Sequence, residues 1–215
     1  MRITGFTLWA PGLESLGDWE QWTRGERTGK DSPEAPSLPF CSPIATRRLS
    51  QLTKMTVYAA HKTGLDADQL FFASSNGEIN AQFKLDTYYA LNDEVKPAVF
   101  SLSVFNTAPA EATILLKSGI PYTPLFSSRE SIIRNLFLTG TAPLVSGRIK
   151  SAVLIYAEEH VPEEYGNLIH GFELPVVIAA RLSADGSETI PEEAEESPES
   201  LIRYLVKEKK DRWIG

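Results

Sequence analysis

The stretch 96–131, KPAVFSLSVFNTAPAEATILLKSGIPYTPLFSSRES, constrains the fold more than any other part of the chain. It reads as extended segment, helix, glycine turn, short strand, tight elbow and second helix. Residues 98–104 are apolar and follow Pro97, which predicts an extended segment. Asn106 or Thr107 is placed to cap a helix through Ala110, Ile114 and Leu115. Gly119, with Pro121 just beyond it, is the expected stop. Tyr122–Phe126 is expected as a short buried strand. Ser127 or Ser128 is expected to cap a helix whose Ile132, Ile133, Leu136 and Phe137 share one face. Enzymes often hold a nucleophile where a strand turns sharply into a helix, because the helix N-terminus stabilises a nearby anion.

The flanking sequence follows the same grammar. Arg2–Trp9 alternates, with Ile3, Gly5 and Thr7 on one side and Thr4, Phe6 and Leu8 on the other, and reads as a strand. Residues 10–42 read as loop with one short helix near 16–22. Its Trp19 and Trp22 serve either as core cover or as partner contacts. Ser42-Pro43 opens what reads as one long helix to Thr63, with Ala45, Leu49, Leu52, Thr56 and Ala59 as its buried stripe and Gly64 as its stop. His61 suits the negative end of that helix dipole. Residues 70–75 form a buried strand before an Asn76-Gly77 turn, and 79–91 a helix. Strands 151–156 and 176–182 follow, the second led in by Pro175. Alternating strands and helices predict an α/β domain with a mixed central sheet.

The expected organisation is a body over 1–182, a mobile acidic linker over 183–200 and an amphipathic helix over 201–215. Leu201, Ile202, Leu205 and Val206 form the stripe of that last helix, which is free to pack on its own domain or on a partner. The net charge of −7 matches the seven acidic residues of 185–199, so the rest of the chain is near neutral. A neutral body with an acidic segment argues against nucleic-acid binding, which needs a basic face. No apolar run reaches membrane-spanning length. The N-terminus does not read as a signal peptide, and the single cysteine, Cys41, suits a reducing cytoplasm.

Two places could carry chemistry. Ser74 and Ser75 lie at a strand end, but no Gly-x-Ser-x-Gly elbow surrounds them. Glu158, Glu159, His160, Glu163 and Glu164 have metal-ligand chemistry, yet read better as a solvated loop broken by Pro162, and His170 does not rescue a site. No nucleotide loop or zinc pattern is present, and neither metal nor cofactor is expected.

The central stretch resembles the N-terminal half of a β-ketoacyl synthase of the thiolase-like superfamily. In that family a segment like SLSVFNTAPAEATILL–SGIPYTP leads into a Thr-Ala-Cys-x-Ser elbow with the nucleophilic cysteine. The matching residues here are Thr123-Pro124-Leu125-Phe126-Ser127-Ser128. The cysteine position falls on Leu125 or, with a one-residue slip, on Phe126. Neither attacks a thioester. Over about 1–182 the chain resembles the short, cysteine-less partner subunits called chain-length factors, found with aryl-polyene ketosynthases.

The resemblance implies half of a thiolase-like fold, without the second half that supplies two catalytic histidines. It implies a non-catalytic subunit in a heterodimer with a full-length ketosynthase, helping to set polyene or polyketide chain length, with an acyl carrier protein engaging the complex. Tyr122, Thr123, Leu125 and Phe126 would then lie at the partner interface. Ala98, Val99 and Phe100 would meet the end of the partner's acyl tunnel. Alternatives are a stand-alone hydrolase-like enzyme using Ser74, Ser75 or the Glu/His loop, and a purely structural scaffold for a ketosynthase.

Overall fold

The computed structural model describes residues 1–168 and 174–215. Five strands form one mixed sheet: β1 Arg2–Trp9, β2 Gln69–Ser74, β3 Tyr122–Phe126, β4 Ser151–Glu158 and β5 Val176–Ser183. Their spatial order is β1-β5-β4-β2-β3. The pairs β1–β5 and β4–β5 are antiparallel, while β2 runs parallel to both β3 and β4.

Helices cover both faces, which is why β2, β4 and β5 are apolar nearly throughout. The helices are α1 Leu16–Thr23, α2 Pro43–Thr46, α3 Gln51–Thr63, α4 Ile79–Asn92, α5 Pro97–Ser103, α6 Thr107–Leu115, α7 Ile132–Val145 and α8 Pro198–Glu208. On one face α3 and α6 pack Leu52, Met55, Ala60, Ala108 and Ala112 against Leu70, Phe72, Val153 and Ile155. On the other, α1, α7 and α8 pack Trp19, Ile133, Phe137, Leu201 and Leu205 against Phe71, Ala73, Leu154 and Tyr156. Each fully buried Leu, Met, Ile, Val or Phe side chain among these contributes about 1.5–3 kcal/mol. Gly140 lets α7 lie close to β4, since a Cβ there would meet Leu154 Cδ2 at 2.6 Å.

Several expectations are corrected by tertiary detail. The apolar run after Pro97 is not extended: it is helix α5, with Pro97 at its first position. The long helix from Pro43 is two helices, because Ser50 caps α3 afresh through Thr53 N–H (2.9 Å). Gly64 does stop α3, in a positive-φ conformation that favours glycine. Gly119 does not stop α6; Leu116 is its cap and Lys117 takes the positive φ. Neither Ser127 nor Ser128 caps α7, whose cap position is Ser131. In β1 the register shifts between Ile3 and Gly5, so Ile3 joins Phe6 and Leu8 in one cluster instead of facing away from them. Trp19 is fully buried, with Trp22 edge-on to it, so Trp19 is core. His61 stacks on Phe40, and burial and then Lys62 push its pKa down, against a role as a dipole-stabilising cation.

The acidic stretch after β5 is not a loose tether. Ile190 and Ala194 are buried against the body, and Glu188 ties the N-terminal strand to the C-terminus. Helix α8 begins at a Ser197 cap with Pro198 at its first position, and buries Leu201, Ile202, Leu205 and Val206 on its own domain. Among the described residues no single helix is long and apolar enough to cross a membrane.

Candidate functional site

Strands β2, β3 and β4 are parallel, so Ser74, Phe126 and Glu158 end on one side of the sheet. The chain leaves β2 over one face through α6 to reach β3, then returns over the other through α7 to reach β4. The crevice beside β2 is therefore a topological switch point, where open α/β sheets bind ligands.

No cysteine stands at the elbow after β3. Leu125 is half-buried against the α7 face, and Phe126 is 72% exposed. The Phe126 ring meets Phe105 edge-on at 5.7 Å, and Phe105 leans on Phe72 in the core at 6.1 Å. A ladder of aromatic rings thus runs from core to surface at the strand end. Ser127 and Ser131 hydroxyls lie 2.7 Å apart, and Asn135 Nδ2 donates to Ser127 Oγ at 2.7 Å, closing the turn on itself.

β3 is an edge strand and is less buried than its apolar sequence suggested: Pro124 and Phe126 are exposed, and Tyr122, Thr123 and Leu125 half-buried. Leu70 N–H donates to Pro121 carbonyl oxygen (2.9 Å), with Leu70 opposite Tyr122. By the alternation of a parallel ladder, 121, 123 and 125 bond inward, and Tyr122, Pro124 and Phe126 turn their backbone groups outward.

The acidic doublet at the end of β4 is buried, contrary to the solvated-loop reading. Glu158 is 2% and Glu159 3% exposed. Glu158 accepts from Ser75 N–H, Asn76 N–H (3.2 Å) and Ser74 hydroxyl (3.1 Å), so its own carboxylate fills the nest after β2. Burial pushes its pKa up to about 7, against those donors and Arg129. Glu159 accepts from Asn80 N–H (3.0 Å) and Leu52 N–H (3.4 Å), joining the N-termini of α4 and α3; burial raises its pKa as well. Glu78, missed in the sequence, is 2% exposed and takes a 2.6 Å bond from the Thr53 hydroxyl. Burial and then the Glu159 charge push it up to about 7. The available signal was the strand itself, since an apolar run that continues to Ala157 carries Glu158 into the sheet.

The Ser74 hydroxyl is fully buried and already accepts from Gly77 N–H (2.8 Å), so it has no path to a substrate. The His160 ring pairs with Asp31 (2.6 Å). His170 lies outside the described residues. Among the described residues no three His, Cys, Asp or Glu side chains group as metal ligands.

Glu78 and Glu159 line a cavity of about 470 Å³, whose wall includes Val99 and Leu102 of α5. Val99 therefore faces inward, while Phe100, one step round the helix, is 53% exposed and Ala98 is exposed. A helix, not strand alternation, decides which of them points out.

These elements form an α/β domain with a five-stranded mixed sheet covered by helices on both faces, a fold shared with solved ketosynthase-related chains. A family model described as "Beta-ketoacyl synthase, N-terminal domain" matches residues 19–212, and the chain belongs to that family. Among solved structures it is similar to a chain of "Ketosynthase (ApeO) in Complex with its Chain Length Factor (ApeC) from Xenorhabdus doucetiae". The TM-score is 0.77 at 20% identity, covering 97% of this chain and 92% of that one. Against "The ishigamide ketosynthase/chain length factor" the TM-score is 0.64 at 18% identity, covering 88% and 63%. Against the ketosynthase from module 1 of the bacillaene synthase of Bacillus amyloliquefaciens FZB42 it is 0.56 at 14% identity, covering 84% and 41%. The chain thus spans most of the first protein and less than two thirds of the other two. No curated protein matches the sequence.

Proposed function

We propose that the chain is a non-catalytic chain-length-factor subunit that pairs with an active ketosynthase and helps set the length of its polyene or polyketide product. One observation supports this reading: hydrocarbon side chains, Leu125 and Phe126, occupy the end of β3, where the resemblance puts the family's nucleophilic cysteine, directly beside a sheet edge that no described residue covers. Thioester chemistry needs an activated nucleophile and oxyanion stabilisation. Hydrocarbon cannot attack, and the nearby nest is filled by Glu158. An exposed edge with an exposed phenylalanine is instead suited to being covered by another protein.

In this reading Tyr122, Thr123, Leu125 and Phe126 lie in the interface. Of the tunnel candidates Ala98, Val99 and Phe100, Ala98 and Phe100 are exposed, and Phe100 is the larger side chain free to meet a partner's acyl tunnel. The acyl carrier protein engages the complex, and Cys41 fits a reducing cytoplasm in which this pair works.

Affinity purification of the tagged chain from its native host, with mass identification of what it captures, tests the pairing; a full-length ketosynthase at 1:1 is expected. Intact-mass analysis of the complex during turnover tests the rest. An acyl chain attached covalently to this subunit, or capture of no ketosynthase, would overturn the reading.

A further inference from the structure

We infer that Pro124 makes the free edge of β3 accept a strand of a different chain in preference to a second copy of this one. The inference deepens the heterodimer reading and rests on it. It comes from the middle residue of the edge. Tyr122, Pro124 and Phe126 turn their backbone groups outward, so the edge offers three carbonyl acceptors but only two N–H donors, from Tyr122 and Phe126. Proline is tolerated here because its missing donor faces away from β2.

Symmetry turns this defect into selectivity. Two copies meeting edge to edge about a two-fold axis pair antiparallel, and every defect appears twice. With Pro124 opposite itself, both bonds of the central pair are missing and two pyrrolidine rings face each other. Slipped by two residues, Pro124 meets Tyr122 or Phe126 of the other copy, and symmetry again removes two bonds. A one-residue slip is not available, because it sets outward backbone groups against inward ones. A partner strand with an N–H at every position loses only one bond, and its own N–H still reaches the Pro124 carbonyl. Each restored bond strengthens association roughly fivefold, so replacing Pro124 favours a mixed pair by roughly fivefold and a self-pair by roughly twenty-five-fold.

The test uses the full-length chain alone, as wild type, Pro124→Val and Pro124→Ala. Sedimentation velocity reads self-association, and amide hydrogen exchange over 121–127 reads whether β3 is the contact. Wild type is expected to leave the Tyr122 and Phe126 amides unprotected at every concentration. Both variants are expected to gain concentration-dependent protection there, together with a dimer. Protection in wild type, or no gain in either variant, overturns the inference. So does a gain with valine alone, because strand propensity and not the N–H would then be the cause. Failure of the heterodimer reading shows elsewhere, as no ketosynthase captured by wild type.

Discussion

The two edges of the sheet are built in opposite ways. The outer edge of β1 is sealed from within the chain. Ile214 N–H donates to Phe6 carbonyl oxygen (2.8 Å), Ile3 N–H to Glu188 (2.9 Å), and Arg212 to Ile3 carbonyl oxygen. Glu188 in turn pairs with Lys209 (2.5 Å) and Arg212 (3.0 Å), and Trp213 packs edge-on against Phe6. The outer edge of β3 has no such cover among the described residues; it ends in the exposed Phe126. Unprotected edges invite association, and proteins normally block them. One edge is thus closed by Glu188 and the segment 209–214, while the other is left uncovered by the described residues, and in the heterodimer reading that second edge is the one a partner covers.

The hardest break of that contrast is Phe126→Asp. The side chain is mostly exposed in the isolated chain, so the chain's Tm is expected to move little, whereas an unpaired charge buried in a heterodimer costs on the order of 3–5 kcal/mol. Ketosynthase capture should fall by two or more orders of magnitude; unchanged capture would remove β3 from the interface.

The sealed edge should respond the other way. Glu188→Ala strands Ile3 N–H, Lys209 and Arg212, at a cost of about 2–3 kcal/mol. Thermal melting is expected roughly 5–10 °C lower, with ketosynthase binding retained once the protein is folded. Lost binding at full occupancy of the fold would make the two edges interdependent.

The carboxylates sharpen the comparison through pH. At the sealed edge burial alone would raise Glu188, but Lys209, Ile3 N–H and Arg212 outweigh it and hold the pKa low. At the strand ends Glu78 and Glu158 are held up at about 7 by burial. Between about 4.5 and 7 the folded chain therefore keeps protons that the unfolded chain has released, and this contribution to stability is lost as pH rises through about 7. Melting should be several degrees lower at about pH 8 than at about pH 5.5, and Glu78→Gln should flatten the profile. A Tm that rises over this interval would show that these carboxyls are ionised in the fold.

The smallest expected effect is on product length. Phe100→Ala on the outward side of α5 is expected to lengthen the product of the reconstituted complex, read by mass spectrometry, with less effect on the condensation rate. A two-carbon unit gains about 1.6 kcal/mol when buried, enough to shift the distribution visibly. Val99→Trp fills the chain's own cavity and is expected to lower stability instead. An intact complex with unchanged lengths in Phe100→Ala would favour a purely structural scaffold.

The sequence by itself determined the elements whose signal is local. The alternating or wholly apolar runs of β1, β2, β4 and β5, the one-sided apolar face of α7, the Ser197-Pro198 start of α8 and the absence of cysteine at 125 and 126 were all legible without coordinates. The tertiary structure decided what depends on distant parts of the chain. A seven-residue apolar run after proline satisfies helix and strand patterns equally, and packing with α4 makes it α5. Glu158 and Glu159 look like loop residues until β2, α3 and α4 bring N–H donors to them. The acidic stretch looks like a tether until Glu188 meets Ile3, Lys209 and Arg212. β3 looks buried until the strand order leaves it at an edge. Periodicity records which side of an element is apolar, but burial of a charge or exposure of a strand is settled by neighbours that lie tens to hundreds of residues away.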